Sequence, residues 1–245
     1  MEVHAHTHTA RKKWTHYFWE FLMLFLAVFC GFLAENQREH MVEHNREKQY
    51  MRSMIKDLEQ DISNIQKSIT GEDRTAQIAD SLIILFRGNN YKNKMGIIYY
   101  NARDFATYPF LFYMTDGTLM QLKNSGGLRL IRNQQVVDSL QGYDNLYQWF
   151  KMGRELEVAQ LDDYRSGMMQ IFDVQVFNSM IKSYPEIIMP AGNPPLLNNN
   201  PTLINEFLMR AHFAKRNKLA NKNALISLKE KATKLITQIK KEYHL

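Results

Sequence analysis

His40-Met41-Val42-Glu43-His44 fits the H-x-x-E-H spacing of the inverted zincins. On a helix, His40 and His44 stand four residues apart on one face and could hold zinc, with Glu43 as general base. The same letters arise in any solvated helix rich in Glu and His, and this stretch begins six residues after an apolar segment. No apolar helix around it is expected to exclude water. A solvated or seam-facing pair is the plainer reading.

Glu20 is the second residue with chemical interest, because it stands inside the apolar stretch Trp14–Ala34. A carboxylate submerged in hydrocarbon is costly and must face a partner or water. A snorkelling or protonated interfacial Glu20 accounts for it without function. The alternative is a proton-linked site or a buried seam between membrane helices. His4, His6 and His8 alternate at the N-terminus and could chelate a metal weakly. Ser125-Gly126-Gly127 lacks the spacing and the lysine of a phosphate loop. The single cysteine, Cys30, excludes a disulfide framework. No catalytic residue and no cofactor is expected from these patterns.

The element that carries Glu20 reads WTHYFWEFLMLFLAVFCGFLA. Its 21 residues span about 31 Å as a helix, close to a hydrocarbon core of about 30 Å. Trp14, Tyr17 and Trp19 suit the headgroup level, and Arg11, Lys12 and Lys13 precede them. A cleaved signal peptide fits less well, since Phe32 would occupy a position that requires a small residue. The basic cluster puts the N-terminus in the cytoplasm and the bulk of the chain beyond an inner (plasma) membrane. Ala27, Cys30, Gly31 and Ala34 would permit close helix approach in lipid.

Met51, Ile55, Leu58, Ile62, Ile65 and Ile69 follow a heptad rhythm on a helix without proline. Run backwards, the register passes Lys48, His44, Met41, Gln37, Ala34, Cys30, Ala27, Met23 and Glu20, so one seam would extend into the membrane. A second seam is Leu225, Leu228, Ala232, Leu235 and Ile239. Pairing the two helices antiparallel is the simplest packing. The segment 202–245 has ten Lys or Arg against three Glu. Acidic residues of the first helix, anionic lipid or plain solvation would each answer that charge.

Between the seams, Gly71-Glu72-Asp73 predicts a break and Thr75–Arg87 a short helix. Met95–Met114 is aromatic and helix or strand by periodicity, with Pro109 interrupting either. Its Tyr99–Tyr113 portion reads as core. Thr115 and Asp116 suggest a cap for Gly117–Lys123, and Asn133 caps a helical pattern reaching about Ser183, with Gly142, Gly153 and Gly167 as candidate bends. Tyr184–Pro201 reads as a loop.

The expected class is all-α. A basic, His-rich tail (1–13) leads to a transmembrane helix (14–34) and a juxtamembrane heptad helix (35–70). A central helical region (71–201) and a basic heptad helix (202–245) complete an elongated bundle. With 45% hydrophobic and 23% charged residues, the chain is folded rather than disordered. The expected partners are the lipid bilayer and a protein partner or second copy; nucleic acid is not expected.

RKKWTHYFWEFLMLFLAVFCGFLAENQREH (11–40) and LMQLKNSGGLRLIRNQQVVDSLQGYDNLY (119–147) resemble segments of an uncharacterised group of single-span proteins from Bacteroidota. The resemblance implies an inner-membrane, largely helical protein without an assigned activity. It supplies no catalytic residue. A membrane-anchored interaction module (scaffold, assembly partner or sensor) is the leading expectation. An ion-coupled component using Glu20 and a tethered zinc enzyme using His40, Glu43 and His44 are the alternatives.

Overall fold

The computed structural model describes residues 14–88, 90–107, 111–183 and 186–245. The described residues are 83% helical, and the chain divides into two units, Met1–Gln49 and Tyr50–Leu245. Helix α1, Trp14–Arg87, is shared by both. Its N-terminal part is solvent-exposed along the apolar stretch and is long and apolar enough to cross a membrane.

In the second unit α1 is followed by α2 (Met95–Phe105), α3 (Gly117–Asn124), α4 (Gln134–Ile171), α5 (Val174–Ser179) and α6 (Pro201–Tyr243). A two-stranded ribbon, β1 (Ile181–Ser183) with β2 (Glu186–Ile187), lies between α5 and α6. The aromatic stretch from Met95 resolves as helix through Phe105, with Tyr99 and Phe105 fully buried. Pro109 lies outside the described residues.

The expected antiparallel hairpin of α1 and α6 is present. Lys240 meets Glu59 at 3.2 Å and Lys229 meets Gln66 at 2.7 Å. Lys222 bonds Asp73, and Lys215 bonds Asp80. As α1 advances α6 retreats, and three of the four rungs are one heptad apart on both helices. Three lysines of α6 thus meet carboxylates of α1. Such exposed pairs add little stability each, about 0–1 kcal/mol, so their contribution is mainly to register. The seam between them is apolar: Ile55, Leu58 and Ile65 share one cluster with Leu225, Leu228, Ala232, Leu235 and Ile239.

Helix α4 fills the third place, running with α1 and against α6. Its Leu140, Tyr143 and Phe150 join the first apolar cluster, and its Leu161, Tyr164 and Ile171 join a second with Ala79, Leu82, Phe207 and Ala211. Gly142, Gly153 and Gly167 lie on its α6-facing side. A Cβ on them would meet Lys231 Nζ at 2.7 Å, Asn221 Oδ1 at 3.2 Å and Arg210 Cδ at 3.0 Å respectively.

Three local expectations are corrected. Helix α1 passes through Gly71-Glu72-Asp73 without a break. A helical glycine costs about 1 kcal/mol relative to alanine, and the burial of Ala76, Ala79 and Leu82 just beyond it outweighs that. Asp116 makes no side-chain cap for α3. A carboxylate of α1 does that instead: Asp57 accepts the Thr118 N–H at 3.1 Å, while Asp61 accepts the Thr115 N–H just before the helix at 2.7 Å. Helix α4 ends at Ile171 rather than near Ser183. Phe172 turns extended into the core, and Asp173 caps α5 by accepting the Gln175 N–H at 2.8 Å. Asn133 caps α4 as expected, accepting from Gln135 at 2.9 Å. Asn200 caps α6, accepting from Thr202 at 2.9 Å, with Pro201 in the first turn, where its missing N–H is harmless.

Candidate functional site

The two apolar clusters of the bundle are separated by a polar layer. Glu72 of α1, Glu157 of α4, and Lys218 and Asn221 of α6 are each 5% exposed or less. Lys218 donates to Glu157 Oε1, Asn221 Nδ2 donates to Glu157 Oε2, and Arg154 donates to the same oxygen from one turn earlier on α4. Arg154 also reaches Glu72 Oε1 at 3.0 Å. Among the described residues the second oxygen, Glu72 Oε2, has the Lys218 ammonium at 3.5 Å and no full hydrogen bond. Burial, partly offset by Lys218 and Arg154 and reinforced by Glu157, pushes the Glu72 carboxyl up to about 7.

Two carboxylates, an ammonium and a guanidinium make the layer charge-balanced. Such a group adds little net stability over an apolar core, but an uncompensated member is expensive. Its consequence is geometric, because only one axial alignment of α1, α4 and α6 brings these partners together. Arg154 also lines a surface hollow of about 220 Å³, with Phe112, Tyr113, Phe150, Lys151 and Val158 around it. The buried layer therefore ends at the surface on one guanidinium.

A second polar group supports α3. Asp61 is buried, accepts from Thr115, and accepts the Tyr143 hydroxyl at 2.7 Å. Desolvation raises its carboxyl, with both hydrogen bonds opposing. Tyr143 is raised by its own burial and by the charge of Asp61.

The outer side of α4 carries Trp149, Met152 and Leu156, 64%, 66% and 66% exposed. Their spacing of three and four places them in one stripe. Compared with protein families, curated sequences and solved structures, the chain gives no match.

The residues singled out by sequence fall mostly in the first unit. Ala27, Cys30, Gly31 and Ala34 are all exposed on α1. Glu20 has a partner one turn earlier, His16 Nε2 at 3.0 Å from Oε1. His40 Nδ1 lies 3.9 Å from Glu43, whereas His44 turns to Glu47 at 3.5 Å. Among the described residues no three His, Cys, Asp or Glu side chains gather as a metal group. His4, His6 and His8 lie outside the described residues.

The ionic layer was missed by pattern reading, though its signal was present. Carried back from Leu225, the α6 seam passes Asn221 and Lys218 before Ala214 and Ala211. Carried forward from Ile69, the α1 seam lands on Glu72. Polar residues at matching seam positions of two paired helices mark a register-fixing layer.

Proposed function

We propose that this chain is a membrane-anchored helical module that works by holding a protein partner on the outer face of α4. The stripe of Trp149, Met152 and Leu156 carries this reading. Large apolar side chains grouped on a surface mark an interaction site, and Trp dominates interface energetics when buried by a partner. The apolar N-terminal stretch supplies the anchor, and the basic cluster Arg11–Lys13 supports a cytoplasmic N-terminus with the bundle across the membrane.

The test is site-specific photocrosslinking in native membranes. A benzoylphenylalanine at Met152 is expected to give a discrete protein adduct that weakens several-fold when Trp149→Ala or Leu156→Asp is added, while the same group at exposed Ser227 gives none. Adducts insensitive to both substitutions would overturn the reading. Protease added outside spheroplasts is expected to cut after Glu35, and full protection until lysis would reverse the orientation.

One contact favours a second reading. Glu20 pairs with His16 at 3.0 Å inside the apolar helix, an arrangement suited to passing a proton at the membrane surface. In an ion-coupled component Glu20→Gln abolishes function and leaves the bundle folded. Function retained in that variant would exclude it.

A further inference from the structure

The end of the bundle away from the first apolar cluster carries a hollow of about 520 Å³. It is separate from the stripe on α4. Its apolar wall comes from Met168, Met169, Phe172, Val174, Phe177 and Leu197. The charged residues on it are Arg103 at the end of α2, Arg165 of α4 and Asp173 before α5. The volume falls within the range of about 300–1,000 Å³ typical of small-molecule sites, which combine an apolar lining with few placed polar groups.

The wall of the hollow is fixed from behind by contacts to its neighbours. Tyr99 bridges its back wall, donating to Pro195 O at 2.9 Å and accepting the Asp173 N–H at 3.1 Å. Its ring packs edge-on against Phe172 and Phe177 at 4.9 and 5.3 Å between centroids. The Leu197 N–H ties the loop before α6 to Ile171 O at 3.0 Å. Gly96 lets α2 press against that loop, since a Cβ there would stand 2.6 Å from Gly192 O. A site built this way is formed before its ligand arrives, which lowers the ordering cost of binding.

The three charges are not equivalent. Arg165 is engaged: its Nε and one terminal nitrogen donate to Ala106 O at 3.2 and 2.8 Å, and the other reaches Asp162 at 2.9 Å. Asp173 is occupied in capping α5. The neighbouring Asp104 is taken by Arg74. Arg103, half-buried on the wall, has neither an ion pair nor a hydrogen bond among the described residues. A position in the last turn of α2 favours a cation through the helix dipole, yet that leaves the guanidinium's donors unused.

We propose that this hollow binds a small amphiphilic anion, its single anionic head on Arg103 and its apolar chain among Met168, Phe172, Phe177 and Leu197. The head is a carboxylate or a phosphate monoester, either of which takes a guanidinium through paired charge-assisted hydrogen bonds. Met168 and Met169, flexible and polarizable, suit a chain without fixed shape better than a rigid ring. The ligand class is therefore a medium-chain acyl or alkyl anion, from a free acid or from a phosphate-headed lipid fragment.

The experiment uses the full chain in lipid nanodiscs and a photoreactive diazirine analogue of octanoate, with labelled sites mapped by peptide mass spectrometry. Saturable labelling is expected within 165–177. Octanoate or octyl phosphate is expected to compete, and octanol to need a roughly tenfold higher concentration, as one charge-assisted contact implies. The better of the two anions identifies the source of the head group. Arg103→Gln is expected to bring acid labelling down to that of the neutral alcohol probe, and Arg103→Lys to retain most of it. Met168→Trp, which fills the hollow, is expected to block acid and alcohol alike, with an unchanged thermal melt as the check on folding. Labelling confined to the apolar helix of 14–34, or octanol competing as well as octanoate, would overturn the proposal.

Discussion

Lys218 of α6 and Glu157 of α4 form an ion pair in the interior of the bundle, 1% and 5% exposed. Glu72 and Arg154 complete its charge balance, and Asn221 occupies the remaining carboxylate oxygen. Neither core cluster alone would choose among neighbouring alignments of the three helices, because sliding one heptad replaces Leu or Ala by similar residues. The ion pair does choose.

Removing one member of this layer is expected to cost far more than removing all of it. Lys218→Met leaves two buried carboxylates facing one guanidinium, and a loss of about 3–5 kcal/mol is expected. Replacing Glu72, Glu157 and Lys218 together by Leu, Leu and Met leaves no buried charge but Arg154, whose side chain is 16% exposed and adjoins a surface hollow, and strands one neutral group, the Asn221 amide. The triple variant is expected to recover more than half of the single variant's loss. Chemical denaturation measures both, and a single-variant loss under 1 kcal/mol would remove the layer's structural role.

The layer is also expected to make stability depend on pH in a particular direction. Glu72 is raised from 4.5 to about 7, chiefly by burial. Between those values the folded state binds the proton more strongly than the unfolded one, so this group's stabilising effect is full below 4.5 and is lost as pH rises through 7. Other carboxylates titrate with the opposite sign, so the informative quantity is the stability of the native chain minus that of Glu72→Gln. That difference is expected to fall steadily from pH 4.5 to 7 and to level off above; a flat or rising difference would refute the assignment.

Asp61 is expected to hold α3 against the bundle. Asp61→Ala leaves the Thr115 N–H and the buried Tyr143 hydroxyl without their acceptor, at about 1–3 kcal/mol for each donor. Faster amide exchange is expected across 111–124, with α6 beyond Leu225 still protected. Uniformly faster exchange would mean that Asp61 supports the whole unit instead.

Two glycine substitutions are expected to differ in sign. At Gly96 a new Cβ would stand 2.6 Å from the backbone oxygen of Gly192, which cannot move without the loop. Gly96→Ala is expected to cost about 1–3 kcal/mol. At Gly142 the nearest atom, at 2.7 Å, is the tip of the Lys231 side chain, which can swing away. Gly142→Ala is expected to be neutral or to gain up to about 1 kcal/mol from helix propensity. Thermal melts of the two variants, read side by side, check the contrast.

Much of the fold was legible because helix pairing leaves a period in the letters. The rhythm from Met51 to Ile69 and from Leu225 to Ile239 gave both long helices and their partnership, since apolar residues every 3.5 positions can be buried only against a similar face. The length and apolarity of Trp14–Ala34 gave a helix long enough for a membrane, and Asn133 gave the start of α4. Local chemistry sufficed for these, because each depends on neighbours within a few turns. The sequence did not decide which polar residues would be buried. Glu72 read as part of a break, because Gly71 and Asp73 flank it and its partners lie 82 and 146 residues further on. The cap of α3 read as Asp116, because Asp57 reaches it from another helix. The hollow at Arg103 draws its walls from α2, α4, α5 and a loop, and no single stretch contains it. Period and cap are properties of a segment, whereas burial, charge balance and concavity arise only where distant segments meet, and there tertiary packing alone decides.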